Sequence, residues 1–257
     1  MLDLQTDVAQ AIAREAAHLA SAIAAAPLRS EPSPHVYIDG LFSDAFYDRL
    51  ERAFPTAPDA FQRWNHGGDP TIFFGNYDRR HEINFPHDLK RLTEDQRVFW
   101  SGLSDFLCGP AFARIVIERF RPFLRERFGD DLDDPSFFER KMRGAVMLDK
   151  HDPGYYLGPH TDRYEKIVTC VFFMAERPGL DHLGTALYRP LEEGFTCRGI
   201  VHHDPKKFAV DEVMPFRPNS AFIFARSDVL FHGVEPMTEA TLQGSSRPGF
   251  QMQFWER

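Results

Sequence analysis

Cysteine is scarce in this chain. Its three residues, Cys108, Cys170 and Cys197, are scattered, odd in number and form no CxxC pair. That argues against a disulfide framework or a cysteine zinc site and makes a reducing compartment, the cytosol, the expected location. No apolar run approaches the roughly 20 residues that a membrane helix requires. The first residues include Asp3, Asp7 and Glu15, which does not suit a signal peptide. Basic residues are outnumbered, 30 against 38 acidic ones, for a net charge of −8. Neither a nucleic-acid partner nor a membrane partner is expected from that balance. Internal repeats are also missing. What is plentiful is phenylalanine, 25 in 257 residues, within a hydrophobic share of 43%. Such a chain can fill a sizeable core without covalent staples.

The first half reads as helices. Val8, Ile12, Leu19 and Ile23 place an amphipathic helix over residues 3–25. It would either mediate a homodimer or pack on the outside of a sheet, and packing is the expectation. Residues 27–34 are rich in Pro and Ser and read as a linker. A short strand over 35–38 follows, then a helix capped by Ser43 with Phe46, Tyr47, Leu50 and Phe54 on one stripe, stopping before Pro55. Thr93 and Gln96 form a capping-box pattern, Gly109 closes that helix and Pro110 opens the next, which Pro122 should kink or split. Residues 61–88 mix Trp64, His66, Phe73, Phe74, Tyr77, Arg79, Arg80 and His81 without a clean period. Substrate contact and plain surface packing stay equally open there.

From Lys141 onward the pattern changes to strands and turns. Gly158-Pro159-His160-Thr161-Asp162 precedes the β-branched and aromatic run Ile167–Met174. On a helix, positions i and i+2 diverge, whereas on a strand they share a face, so His160 and Asp162 are expected to point into one cavity. A histidine at the end of a second apolar segment, His232, supplies a third ligand. Two histidines and a carboxylate with open positions make the facial triad of non-haem Fe(II) oxygenases. Arg247 opens another strand whose residues split by period two, Phe250, Met252 and Phe254 on one face and Gly249 and Gln251 with Arg247 on the other. A rival HxD, His202-His203-Asp204, is followed by Pro205-Lys206-Lys207 rather than a strand, so nothing would hold it in register. It lies in a polar excursion over residues 191–213 that reads as a lid or a solvated loop. His151 and His182 sit in turn-like surroundings and are expected to be exposed.

The order His160-Thr-Asp162, His232, Arg247 resembles the Fe(II)/2-oxoglutarate-dependent dioxygenases, and most of all their prolyl-hydroxylase-like branch. The strand Val168–Phe173, the turn Gly184–Tyr188, Pro218-Asn219-Ser220 and the opening His35–Ser43 add to the likeness, which spans residues 35–257. The resemblance implies an α+β fold with a double-stranded β-helix (jelly-roll) core and N-terminal helices outside it. On that reading residues 1–257 are one oxygenase domain: a helix and linker over 1–34, mainly helical support over 35–143 and the catalytic core over 144–257. His160, Asp162 and His232 would hold Fe(II) as the catalytic and metal-binding residues, and Arg247 would grip the distal carboxylate of 2-oxoglutarate. Many relatives place a tyrosine hydroxyl near that co-substrate. The matching position here is Phe173, and Thr169 on the same strand face would supply a hydroxyl instead. O₂ is the second co-substrate and ascorbate a candidate reductant.

The implied reaction is hydroxylation of an unactivated C–H in a small molecule or a side chain, with release of succinate and CO₂. With Asp162 bound to the metal no vacancy is left for a halide, which disfavours halogenation. Two other readings stay open: a jelly-roll metalloenzyme that does not use 2-oxoglutarate, including a hydrolytic zinc enzyme, and a catalytically silent module with a structural metal.

Overall fold

Aromatic and β-branched residues cluster where the chain must cover both faces of a sheet, and the strands follow those clusters. The structure, a computed structural model, describes residues 2–63, 74–199 and 201–257. The elements in order are α1 (Leu2–Ala25), β1 (His35–Asp39), α2 (Asp44–Ala53), β2 (Gln62–Arg63), β3 (Arg80–Asn84), α3 (Glu94–Leu107), α4 (Pro110–Phe128) and α5 (Phe137–Lys141). There follow β4 (Met142–His151), β5 (Leu157–His160), β6 (Lys166–Phe173), β7 (Thr185–Pro190), β8 (Phe208–Met214), β9 (Ser220–Ala225), β10 (Phe231–Val234), α6 (Glu239–Leu242) and β11 (Arg247–Glu256). Seven strands form one antiparallel sheet in the order β1-β9-β6-β11-β4-β3-β2, and four form a second in the order β5-β10-β7-β8. Chain-adjacent strands β5 and β6, and likewise β9 and β10, fall in different sheets, which is the winding of a jelly roll.

The large sheet has two unlike faces. Phe250, Met252 and Phe254 of β11 are fully buried on the helical side. Phe250 stacks on Phe172 with ring centroids 4.2 Å apart, and the edge of Trp100 from α3 meets it at 5.4 Å. Phe112 of α4 reaches Phe254 at 6.3 Å. The alternate residues of β11, Arg247, Gln251 and Gln253, face the space between the sheets. The period-two split of this strand therefore sorts oil from chemistry, as the sequence suggests. Against the same helices α1 buries Val8, Ile12, Leu19 and Ile23, so this stripe is occupied within the chain.

Three expectations change here. Ser43 starts α2 but does not cap it with its side chain. Its hydroxyl donates to Glu15 Oε2 at 2.6 Å and its backbone N–H donates to Glu15 Oε1 at 2.8 Å, which ties α2 to α1. Pro122 does not split α4, which runs on to Phe128. Val116, Phe120 and Leu124 are buried on either side of it, and that packing holds the helix where a proline alone would favour a break. The excursion over 191–213 is only partly a loop, because Phe208–Met214 form β8 beside β7. As the edge of its sheet, β8 exposes Asp211 and half-exposes other positions, and that hides its alternation from a reading of the sequence. Strands β1 and β3 join the large sheet from within residues 35–143. Trp64, His66 and Phe73 lie outside the described residues. Among the described residues no helix is long and apolar enough to cross a membrane.

Candidate metal centre and active-site cavity

Between the sheets lies a cavity of about 380 Å³. Its three would-be ligands arrive by different routes. His160 ends β5 and His232 is the second residue of β10, where the two stand directly opposite each other across the antiparallel pair. Gly233 makes that close pairing feasible, since a Cβ there would lie 2.3 Å from the Leu157 carbonyl oxygen. Asp162 lies beyond the end of β5, so it shares the cavity with His160 through the turn rather than through strand alternation. His232 likewise sits near the start of its strand rather than at the end of the preceding one. The ligand atoms of the three residues all lie within 4.8 Å of one another.

Their surroundings fix their protonation. Nδ1 of His160 meets the Gly158 carbonyl at 3.0 Å, and Nδ1 of His232 meets the Leu230 carbonyl at 3.1 Å. A carbonyl only accepts, so both rings carry their proton on Nδ1 and turn the Nε2 lone pair to the cavity. Burial, followed by repulsion from His202 and His232, holds the pKa of His160 well below its ordinary value. Burial lowers that of His232 as well, against the opposing pull of Asp162. Burial pulls the Asp162 carboxyl upward, but Lys166 and His232 outweigh it and the net shift is down. The site thus presents two neutral imidazoles and one carboxylate, a donor set suited to a divalent first-row metal with open positions.

Asp162 is held from both sides. Lys166 donates to its Oδ1 at 2.6 Å and Thr169 donates to its Oδ2 at 2.5 Å. The Thr169 hydroxyl, expected to serve the co-substrate, is therefore engaged with Asp162, one of the three would-be metal ligands. Phe173, the position where a tyrosine would have been expected, flanks Arg247 instead, its ring centroid 5.7 Å from the guanidinium carbon.

Arg247 is 6% exposed. Its Nε donates to the Leu183 carbonyl at 2.5 Å, its Nη1 lies 3.2 Å from Nδ1 of His151, which also meets the Arg247 carbonyl at 3.3 Å, and Phe216 covers its other side at 5.6 Å. Among the described residues no carboxylate lies within ion-pair distance of it. Its neighbour across two strands differs: Arg80 pairs with Glu82 at 2.6 Å and with Asp149 at 3.5 Å. Burial lowers the pKa of Arg247, offset by Asp149 and Tyr155, yet a guanidinium stays charged at neutral pH. Among the described residues lining the cavity, Arg247 is therefore a buried cation without a carboxylate at ion-pair distance, at the start of β11.

Several cavity residues were not foreseen. His151 is 1% exposed, stacked on Tyr155 with centroids 4.0 Å apart. The expectation that it is exposed is overturned by its place on β4, opposite Arg247. The signal was present, because Met147, Asp149 and His151 alternate with the buried Val146 and Leu148. His182 is exposed as expected. His202 also lines the cavity, its ring 4.2 Å from that of His160. Backbone pairing brings it there without a strand: Phe74 N–H donates to the His202 carbonyl at 3.1 Å, and His203 N–H donates to the Pro159 carbonyl at 2.8 Å. The rival HxD still does not form a ligand set, since Asp204 turns away to accept from Lys206 N–H at 3.0 Å. Arg80, Glu82, Asp149, Gln251 and Gln253 make a bonded polar floor, with Gln251 donating to Asp149 at 2.8 Å and Gln253 to Gln251 at 3.0 Å. Burial raises the Glu82 carboxyl, partly offset by Arg80.

No protein-family model and no curated protein sequence matches the chain. Among solved structures it is similar to a prolyl-4-hydroxylase from Pseudomonas putida, at 15% identity, TM-score 0.43, covering 93% of this chain and 99% of the other. It is also similar to a Trichoplax adhaerens prolyl hydroxylase in complex with a hypoxia inducible factor peptide, at 11% identity, TM-score 0.48, covering 94% and 89%. A third is an oxidoreductase of the 2OG-Fe(II) oxygenase family from Burkholderia pseudomallei, at 10% identity, TM-score 0.46, covering 86% and 85%.

Proposed function

We propose that the protein is an Fe(II)- and 2-oxoglutarate-dependent oxygenase that hydroxylates an unactivated C–H bond. The overall change is R–H + 2-oxoglutarate + O₂ → R–OH + succinate + CO₂. The observation that carries this reading is Arg247: a buried guanidinium without a carboxylate partner, in the same cavity as a neutral two-histidine, one-carboxylate set. A desolvated cation needs an anion, and the 2-oxo acid provides one that can also reach a metal. When bound, the metal with the 2-oxo acid and O₂ supplies the oxidising power.

The chain's own residues do the rest. His160 and His232 keep their proton on the carbonyl side, so both offer lone pairs at neutral pH. Thr169 and Lys166 set the angle of the Asp162 carboxylate. Arg247, fixed by Leu183 and His151, would take the distal carboxylate through its planar fork. Phe173 and Phe216 keep water from that end.

Anaerobic titration of 2-oxoglutarate into Mn(II)-loaded protein tests the reading without a prime substrate. Metal-dependent, one-to-one binding is expected, followed by slow Fe(II)-dependent succinate release in air. A protein that binds the metal but not 2-oxoglutarate would overturn it in favour of other metal chemistry or a structural metal.

A further inference from the structure

Five of the described residues that line the cavity carry a hydroxyl: Tyr77, Tyr155, Thr161, Thr169 and Thr185. Three of these hydroxyls are engaged. Tyr77 is bonded to His202, Thr161 donates to the Cys197 carbonyl at 2.7 Å, and Thr169 donates to Asp162. Among the described residues the hydroxyls of Tyr155 and Thr185 meet no hydrogen-bond partner, although the two residues are only 1% and 5% exposed. A buried hydroxyl without a partner is destabilising, and on a cavity wall it marks where a polar atom of a ligand belongs.

Tyr155 is joined to Arg247 by contacts along that wall. Its ring lies on that of His151 with centroids 4.0 Å apart, and Nδ1 of His151 is 3.2 Å from Arg247 Nη1. The backbone holds the phenol there: Tyr155 N–H donates to the Asp152 carbonyl at 3.1 Å, and the Tyr155 carbonyl accepts from Met237 N–H at 2.9 Å. Burial raises its pKa, and the opposing pull of Arg80 and Arg247 does not cancel that rise. The hydroxyl therefore keeps its proton at neutral pH and can donate. The rings that flank the guanidinium, Phe173 and Phe216, offer no polar atom. A carboxylate has about four lone-pair sites, and a bidentate guanidinium fills only two of them. Thr185 is tied to Arg247 less directly: it opens β7, pairs with Met214 of β8, and meets the guanidinium only through its chain neighbour Leu183.

We propose that Tyr155 binds the co-substrate, its hydroxyl donating to the distal carboxylate of 2-oxoglutarate beside Arg247. This rests on the oxygenase reading and adds a binding residue to it.

Tyr155→Phe is the test, because phenylalanine keeps the ring on His151 and removes one oxygen. Anaerobic calorimetry with Mn(II)-loaded protein should show 2-oxoglutarate weakened by about ten- to a hundredfold, the range for a hydrogen bond to an ionised group. Oxalate, which has a metal-chelating pair of carboxylates and no distal arm, should bind variant and wild type within twofold of each other, and so should Mn(II). The ligand-free melting temperature should hold or rise, since no bond is lost, whereas a packing role would lower it. Unchanged 2-oxoglutarate affinity in Tyr155→Phe overturns the proposal. So does a loss that oxalate shares, which would put the effect at the metal end. A loss found in Thr185→Val and absent from Tyr155→Phe overturns it too and gives the role to Thr185. The oxygenase reading survives all three results; it fails only if the wild type binds Mn(II) and not 2-oxoglutarate.

Discussion

Replacing Arg247 by methionine separates a co-substrate anchor from a structural arginine, because the two roles predict opposite balances. Methionine keeps most of the volume between Phe173 and Phe216 and removes the charge. In the ligand-free protein the change loses the hydrogen bonds to the Leu183 carbonyl and to His151, a loss of about 1–3 kcal/mol. It also relieves the burial of a cation that has no counter-ion, a penalty of several kcal/mol. The ligand-free melting temperature should therefore hold or rise.

Binding should move the other way. Removing one side of a desolvated, hydrogen-bonded charge pair costs about 2–5 kcal/mol, which is roughly a 30- to 4,000-fold loss at about 1.4 kcal/mol per decade. The 6% exposure of Arg247 favours the upper part of that range, since little solvent can screen the orphaned carboxylate. Arg247→Lys should be intermediate, keeping the charge but losing the fork. The assay is anaerobic calorimetry of 2-oxoglutarate against Mn(II)-loaded protein, with Mn(II) affinity measured alongside and expected to stay unchanged. Unaltered 2-oxoglutarate affinity together with a lowered melting temperature would refute the reasoning and make Arg247 a packing residue.

Three further outcomes follow from the same geometry. Thr169→Val removes the donor to Asp162 and should weaken Mn(II) by about 10- to 100-fold while leaving 2-oxoglutarate affinity in saturating metal unchanged; the reverse pattern would return Thr169 to the co-substrate. His151, His160 and His202 all have lowered pKa values, His202 to about 3, with burial the largest cause. The unfolded chain then binds more protons below its ordinary histidine pKa of about 6.5, so stability is full above that pH and is lost as pH falls. For each histidine that stays neutral at pH 5 the loss between pH 7 and 5 is about 2 kcal/mol, and a flat urea midpoint across that range for the metal-free protein would contradict it. Gly199→Ala drives a methyl into the Asp162 carbonyl and occupies a φ of +97°, so it should displace the turn and reduce Mn(II) affinity tenfold or more, whereas unchanged affinity would show that the turn does not depend on this contact.

The parts of the site legible in the sequence are those where one strand carries its own period. β11 declares its faces through Phe250, Met252 and Phe254 against Arg247 and Gln251, and the triad's order is readable because each histidine borders an apolar run. Residues brought in by pairing between distant segments were not legible. His202 reaches His160 through backbone bonds made to Phe74 and Pro159, partners that no local pattern announces. Arg80 and Glu82 sit on β3, five residues inside a stretch without a clean period, and become part of the cavity only through the pairing of β3 with β4. Thr169 lies on the expected face, and its contact with Asp162 is not legible because the turn that carries Asp162 folds back over β6. Ser43 shows the same limit at a helix start: its residue type fits a cap, but the buried carboxylate of Glu15 competes for its hydroxyl and wins.

What distinguishes the Arg247 end of the cavity is asymmetry of charge rather than the presence of an arginine. Arg247, His151 and Arg80 stand side by side across β11, β4 and β3 in one register row. Were all three charged, the row would carry three buried positive charges, and an anion could bind anywhere along it. Burial and the two flanking guanidiniums keep His151 neutral, and its Nδ1 lies 3.2 Å from Arg247 Nη1 and 3.3 Å from the Arg247 carbonyl. Glu82 and Asp149, one row along, neutralise Arg80, and the glycine at the matching position of β11, Gly249, gives Arg247 no such neighbour. The row therefore contains one guanidinium, Arg247, with no carboxylate at ion-pair distance and only the more distant Asp149 acting on it. An uncharged residue at 82 would still leave Asp149 to balance Arg80, so the difference between the two arginines rests on both carboxylates of the neighbouring row rather than on either alone.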